Sequence, residues 1–246
     1  MAIAALHSYD KRFFDDMEAG ALRSAQAVLP MVFDLLSPRS LIDIGCGRGA
    51  WLRTAMDLGI RPVCGLDGAY VDRRDLLIPR QCFLETDLSR PFQVPGRYHL
   101  ALCLEVAEHL PYRSSRSLIA GLTAAAPAVL FSAAIPGQPG TRHRNPQFPE
   151  FWRKLFAEHD YLALDPIRSR IRDNAGVEPW YSQNMLLYVA RSCYQQTPRL
   201  QAYEAVEDPC QLLPWVYGGI WRGRVRWRGP LSVLKILLSR VSRAQF

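Results

Sequence analysis

Between residues 40 and 190, short apolar runs alternate with segments of helical periodicity, and this alternation constrains the fold more than any other feature. The apolar runs fall at 40–45, 63–66, 81–85, 99–104, 128–134, 161–165 and 184–190. Helical patterns occupy 50–58, a stretch beginning after Pro111 and continuing over 118–125, and 149–159, where Pro149 suits a first turn. Over 50–58, Trp51, Leu52, Ala55 and Leu58 share one face. Near-continuous apolar strands separated by helices predict a parallel sheet covered on both faces. One or two helices are expected over 13–36 and a polar connector over 193–214. The organisation read from this is a helical cap at 1–37, a core at 38–191, a connector at 192–214 and a basic appendage at 215–246.

Charge separates the appendage from the body. The chain of 246 residues carries a formal +7, yet nothing acidic follows Asp208. Arg222, Arg224, Arg226, Arg228, Lys235, Arg240 and Arg243 account for the whole excess, and the remaining 23 basic residues balance 23 acidic ones. The basic character is therefore no argument that the body grips nucleic acid, and none is expected as a partner. No apolar stretch approaches the roughly 20 residues that cross a bilayer. The first residues, MAIAALHSYDKRFF, lack the pattern of a secretory signal, so a cytoplasmic setting is expected. The six cysteines form no CxxC pair, which excludes a zinc knuckle, and reduced thiols are expected.

The first apolar run ends in Asp43-Ile44-Gly45-Cys46-Gly47-Arg48-Gly49 and opens directly into a helix. Glycines at such a turn tolerate positive φ and let a ligand approach the backbone, while the helix start offers free N–H groups. The spacing departs from the GxGxxG dinucleotide fingerprint, and no lysine follows as in a P-loop. Asp67 ends the second run, where a carboxylate accepts from ribose hydroxyls, and Asp87-Leu88 follows the third. After the fourth run stands Leu104-Glu105-Val106-Ala107-Glu108-His109-Leu110.

Taken together, these residues resemble the class I S-adenosylmethionine-dependent methyltransferases over roughly 38–190. The resemblance implies a Rossmann-like α/β three-layer sandwich whose seven-strand, mostly parallel sheet runs 3-2-1-4-5-7-6 with an antiparallel last strand. It implies S-adenosyl-L-methionine as cofactor. Asp43, Gly45, Cys46 and Gly47 would cradle its methionine end, Asp67 with Gly68 and Tyr70 its ribose, and Asp87 with Leu88 its adenine. Leu104 and Glu105 would border it after the fourth strand.

On the acceptor side, Glu105 and Glu108 stand three apart and are expected to share a face of one helical turn, with His109 adjacent and His143 after the fifth run. Three readings stay open. Some members of the family hold a divalent metal, such as Mg, on a Glu-x-x-Glu-His set plus a distant histidine, which Glu105, Glu108, His109 and His143 resemble. Alternatively, His143 or His109, with Glu108 beside it, acts as a general base, since histidine titrates near neutrality. The third is a packing role. Trp180 and Tyr181 either wall an acceptor pocket or belong to the core. A looser resemblance to enzymes of bacterial glycan and natural-product assembly tilts the acceptor toward a hydroxyl on a sugar or small metabolite, a biosynthetic O-methylation. The rivals are an N-methyltransferase and a non-catalytic cofactor-binding protein tethered by its tail. In that tail, Leu231, Leu234, Leu237, Leu238 and Val241 line one face of a candidate helix beside arginines and tryptophans. This pattern suits an anionic membrane surface or docking on the domain itself or a partner subunit, and less well nucleic acid.

Overall fold

The structure is a computed structural model that describes residues 11–210. The tail helix expected at 231–243 lies outside the described residues. The elements are α1 (Lys11–Leu36), β1 (Leu41–Ile44), α2 (Ala50–Asp57), β2 (Val63–Asp67), β3 (Phe83–Glu85), β4 (Leu100–Leu104), α3 (Ser115–Ala125), β5 (Ala128–Ser132), α4 (Pro149–Ala157), β6 (Tyr161–Leu164), α5 (Arg168–Ile171), α6 (Pro179–Asn184), β7 (Leu186–Ala190) and α7 (Arg191–Gln196).

The strands form one seven-stranded sheet in the order β3-β2-β1-β4-β5-β7-β6, as the resemblance implied. β7 runs antiparallel to both its neighbours, and the other pairs are parallel. Side chains along a strand point alternately to the two faces. Thus Leu41 joins one core layer with Val28, Leu29, Leu52 and Tyr181, while Ile42 and Ile44 join the other with Leu118, Leu122, Trp152 and Phe156. Both faces are covered, so the strands are almost wholly apolar: every residue of β1, β2, β4 and β5 is buried, and only Asp43, Asp67 and Ser132 among them carry polar side chains.

The register sets the site. Asp43 of β1 lies opposite Gly65 of β2 and Leu102 of β4. The carboxyl ends of these three central strands therefore stop side by side, and the segments leaving them meet above one edge, where ligands bind in open α/β sheets. α1 covers this region from one side. Its buried stripe of Ala25, Val28, Leu29, Val32 and Leu35 follows helical spacing, and the helix continues through Pro30 as one piece.

Several boundaries differ from the sequence expectation. The third strand begins at Phe83, not at residue 81, because Arg80–Cys82 winds into a 3-10 turn after Pro79 and β3, at the sheet edge, pairs with β2 alone. The seventh begins at Leu186, because Pro179 starts α6 and Asn184 closes it. Glu105 and Glu108 do not share a helical turn. Glu105 takes φ +56°, and only Ala107–His109 forms a 3-10 turn. The stretch after residue 190 is not all connector: α7 and a 3-10 turn at Leu200–Ala202 pack there, with Leu200 fully buried. Buried Arg168 bonds Asp165 at 2.7 Å and the carbonyls of Gln183 and Pro209, pinning residue 209 to the domain.

Candidate functional site

The glycine turn is built by backbone geometry that side chains rarely allow. Gly45, Gly47 and Gly49 have φ of +91°, +54° and +90°. The N–H groups of Gly45 and Cys46 both donate to the Leu66 carbonyl, at 2.7 and 3.2 Å, which latches the turn onto β2. At Gly45 a Cβ would collide with both methyls of Val106, so the turn is in close contact with the segment leaving β4. At Gly47, by contrast, a Cβ would meet open space. Cys46 is buried with its thiol pushed well above the ordinary value by burial and then by Asp43, which makes it an inert packing thiol.

Asp67 is buried at the end of β2 and holds the same turn from its other side. Its Oδ2 accepts from Gly47 N–H at 2.6 Å, its Oδ1 from Gly68 N–H at 2.7 Å, and the Tyr70 hydroxyl donates to Oδ1. Tyr70 is 74% exposed, so of the three bonds to Asp67 its own is the one nearest solvent. Burial raises the Asp67 carboxyl, and these three bonds oppose the rise. Asp43, also buried, is pushed up to about 7 by burial and then by the charge of Asp67. Asp87 is exposed and caps its own turn, accepting from Ser89 N–H at 3.0 Å and Ser89 Oγ at 2.6 Å, which holds it below the usual range. Leu88 beside it is buried.

Leu104, buried, leads into a second group of acids. Glu105 is partly buried and carries hydrogen bonds from Asn184 and Gln138. Glu108 is fully buried; no donor meets its carboxyl oxygens in full hydrogen-bond geometry, and the carboxyl lies against that of Glu105 and the backbone of Ala134. Both carboxyls are raised, first by burial; the charge of Glu105 then raises Glu108 further. The Glu108 carbonyl accepts from Arg144 and Asn145 N–H, each at 2.8 Å, and so fastens the loop after β5 over this turn.

That loop brings His143 to His109, with ring centroids 5.2 Å apart. Burial lowers His109, and an opposing hydrogen bond to the Arg142 carbonyl fixes one ring nitrogen as donor. Burial and then His109 lower His143, and a hydrogen bond to the Gln138 backbone opposes this. Both shifts favour the neutral imidazole over the charged one. Glu108, His109 and His143 offer one ligand atom each, all within 4.8 Å of one another. Glu105 is not in this set. Of the four residues that the sequence singled out for a metal, the structure brings three together and turns the fourth to Asn184 and Gln138.

Tyr181 is buried. Its hydroxyl accepts from Trp51 Nε1 at 3.3 Å and lies within the influence of both Glu105 and Asp43. Sequence reasoning left Trp51 on a helix face and did not single out Gln138 or Asn184. Only the Pro179 start of a short helix hints that Asn184 would end at this edge.

Asp43, Asp67, Glu105 and Glu108 thus crowd one sheet edge, and among the described residues no lysine or arginine pairs with any of them. Buried acids without a cationic partner are costly. Gly47, where an added side chain would meet open space, lies against Asp67 of this group.

A family model described as a methyltransferase domain matches residues 17–161, more than half of the chain. Among solved structures, the methyltransferase domain of a bacterial Hen1 protein matches with TM-score 0.52 and 19% identity, covering 69% of this chain and 98% of that one. Magnesium protoporphyrin IX methyltransferase from Synechocystis PCC 6803, with bound SAH, matches with TM-score 0.51 and 20% identity, over 72% of this chain and 87% of that one. Mitomycin 7-O-methyltransferase matches with TM-score 0.51 and 15% identity, over 73% of this chain and 56% of that one. At these identities the likeness is one of fold. A search of curated proteins finds no match.

Proposed function

The chain belongs to the methyltransferase-domain family, and from that premise we propose that it transfers a methyl group from S-adenosyl-L-methionine to a hydroxyl oxygen of a sugar or small metabolite. The observation that carries this reading is the cluster of uncompensated buried acids around an open glycine turn, next to a pair of neutral histidines.

The cofactor, when bound, supplies a methyl group already made electrophilic by its sulfonium. The protein's task is to bind, align and exclude water. Asp67 exchanges its Tyr70 contact for ribose hydroxyls, and the Gly45–Gly49 turn receives the methionine end. Asp43 and Glu105 balance its positive charge. His109 and His143 stand at the end of β4 and on the loop after β5, where an acceptor approaches. A free imidazole nitrogen there takes the proton of an acceptor hydroxyl, a step worth typically about 10²–10⁴ in rate. The buried carboxyl of Glu108 lies beside this pair.

A second reading is favoured by one observation, the convergence of Glu108, His109 and His143 around donor-free carboxyl oxygens. A carboxylate and two imidazoles suit a divalent cation, which when bound would lower the pKa of an acceptor hydroxyl.

Calorimetry with S-adenosylmethionine, its demethylated product and NAD, together with methyl transfer to a panel of hydroxyl and amino acceptors, tests the proposal. The first two ligands should bind and NAD should not. His109→Ala and His143→Ala should abolish turnover while leaving cofactor affinity within about twofold. Methylation of amines alone would replace the oxygen acceptor with nitrogen. Activity lost in EDTA and restored by magnesium or manganese would select the cation reading over the free base.

A further inference from the structure

The carboxylate of Glu105 is gripped on both oxygens. Asn184 Nδ2 donates to Oε1 at 3.1 Å, and Gln138 Nε2 donates to Oε2 at 3.3 Å. The two amides also bond each other, Asn184 Nδ2 to Gln138 Oε1 at 3.0 Å, so three side chains close a ring. Its members come from three separate segments: the residue after β4, the loop after β5 and the last residue of α6. The backbone is held as well. Glu105 N–H donates to Ser132 O at 2.9 Å and Ser132 Oγ at 3.2 Å, while Glu105 itself sits at φ +56°. A non-glycine residue at positive φ persists where its surroundings over-determine it, and such residues gather at ligand sites.

The ring sits against the cofactor half of the site. Val106, the next residue, packs on Gly45 of the glycine turn, and Tyr181, buried nearby and bonded to Trp51, feels the charges of both Glu105 and Asp43. Gln138 and Asn184 are themselves buried, and Asn184 Oδ1 keeps one acceptor without a donor, as a ring facing a donor-bearing ligand would.

We infer that Asn184 and Gln138 are positioning residues whose ring fixes the Glu105 carboxylate beside the glycine turn, so that its charge selects the cationic cofactor over the neutral-sulfur product. This rests on the reading of S-adenosylmethionine as cofactor. A carboxylate on a free side chain follows solvent; one held by two amides on a strained backbone keeps its field fixed before the ligand arrives. The two ligands differ by one methyl group and one positive charge. Their affinity ratio therefore reads the local field rather than the overall integrity of the cleft.

The test is calorimetric titration of the full chain with S-adenosylmethionine and S-adenosylhomocysteine. The proteins are wild type, Gln138→Met, Asn184→Leu, Glu105→Gln and the double variant Glu105→Gln/Gln138→Met. Losing one charge-assisted bond should shift the ratio roughly three- to tenfold toward the product in each single variant. In the Glu105→Gln background, Gln138→Met should add less than about a twofold change, because the carboxylate it positions is gone. Equal weakening of both ligands, with the ratio kept within about twofold, would make the amides structural and overturn the inference. Thermal melting checks folding; if Asn184→Leu fails to fold, Gln138→Met, on the loop, decides. Wild-type protein that binds neither ligand would overturn the cofactor reading itself, whereas binding with an unshifted ratio overturns only the role of the ring.

Discussion

Replacing Gly45 with alanine tests whether the glycine turn is set by backbone geometry or only by composition. Two separate costs are expected. Gly45 has φ +91°, and an L-residue held in that left-handed region loses about 1–2 kcal/mol. The new Cβ would also lie 2.7 Å from Val106 Cγ1 and closer still to Cγ2, and overpacking of this kind typically costs about 1–3 kcal/mol. The sum, about 2–5 kcal/mol, corresponds to roughly 4–20 °C in melting temperature for a domain of this size. Urea unfolding followed by circular dichroism should show a lower midpoint with an unchanged slope. Gly47→Ala is the internal control. Its φ is +54° with nothing within 4 Å of the added carbon, so only the conformational cost, about 1–2 kcal/mol, is expected. Adding Val106→Ala to Gly45→Ala should recover part of the steric cost and none of the conformational one. A Gly45→Ala protein within about 0.5 kcal/mol of wild type, or no more damaged than Gly47→Ala, would refute the reasoning.

Asp43 gives a pH dependence with a definite sign. Its carboxyl is raised in the fold to about 7, so the protein without ligand should lose stability as pH rises from about 4 to 7 and hold level above, by an order of a few kcal/mol. Asp43→Asn should flatten that slope in denaturation curves taken across this range and should weaken S-adenosylmethionine binding; an unchanged slope removes Asp43 as its source. Since burial lowers both His109 and His143, turnover should persist through the ordinary histidine range and fall only on the acid side of it. A rate profile whose acid limb lies above pH 7 would contradict neutral histidines. Finally, protein ending near Leu213 should keep cofactor affinity yet lose flotation with anionic vesicles. Equal flotation of both lengths, or of neither, rejects membrane attachment through the basic tail.

The order of elements and the place of the glycine turn were legible in the sequence because both depend on local rules. Strands buried on both faces must be apolar along most of their length, as LALCL is throughout and LIDI and VCGLD are apart from one aspartate each. Positive φ at three alternate positions strongly favours glycine, so Gly45, Gly47 and Gly49 announce their turn without any knowledge of what surrounds it. The acidic ends of β1 and β2 stand out for the same reason, as charges inside otherwise apolar runs. Non-local convergence was not legible. Spacing placed Glu105 and Glu108 on one helical turn, but Ser132 and the amides of Gln138 and Asn184 hold Glu105 in a left-handed conformation that no neighbour in sequence requires. His143 reaches His109 because the Glu108 carbonyl catches the backbone of Arg144 and Asn145, residues 36 and 37 positions away. Local periodicity records which face of an element is buried. Which polar side chains meet at the sheet edge depends on strand order and loop closure, and those exist only once the chain has folded.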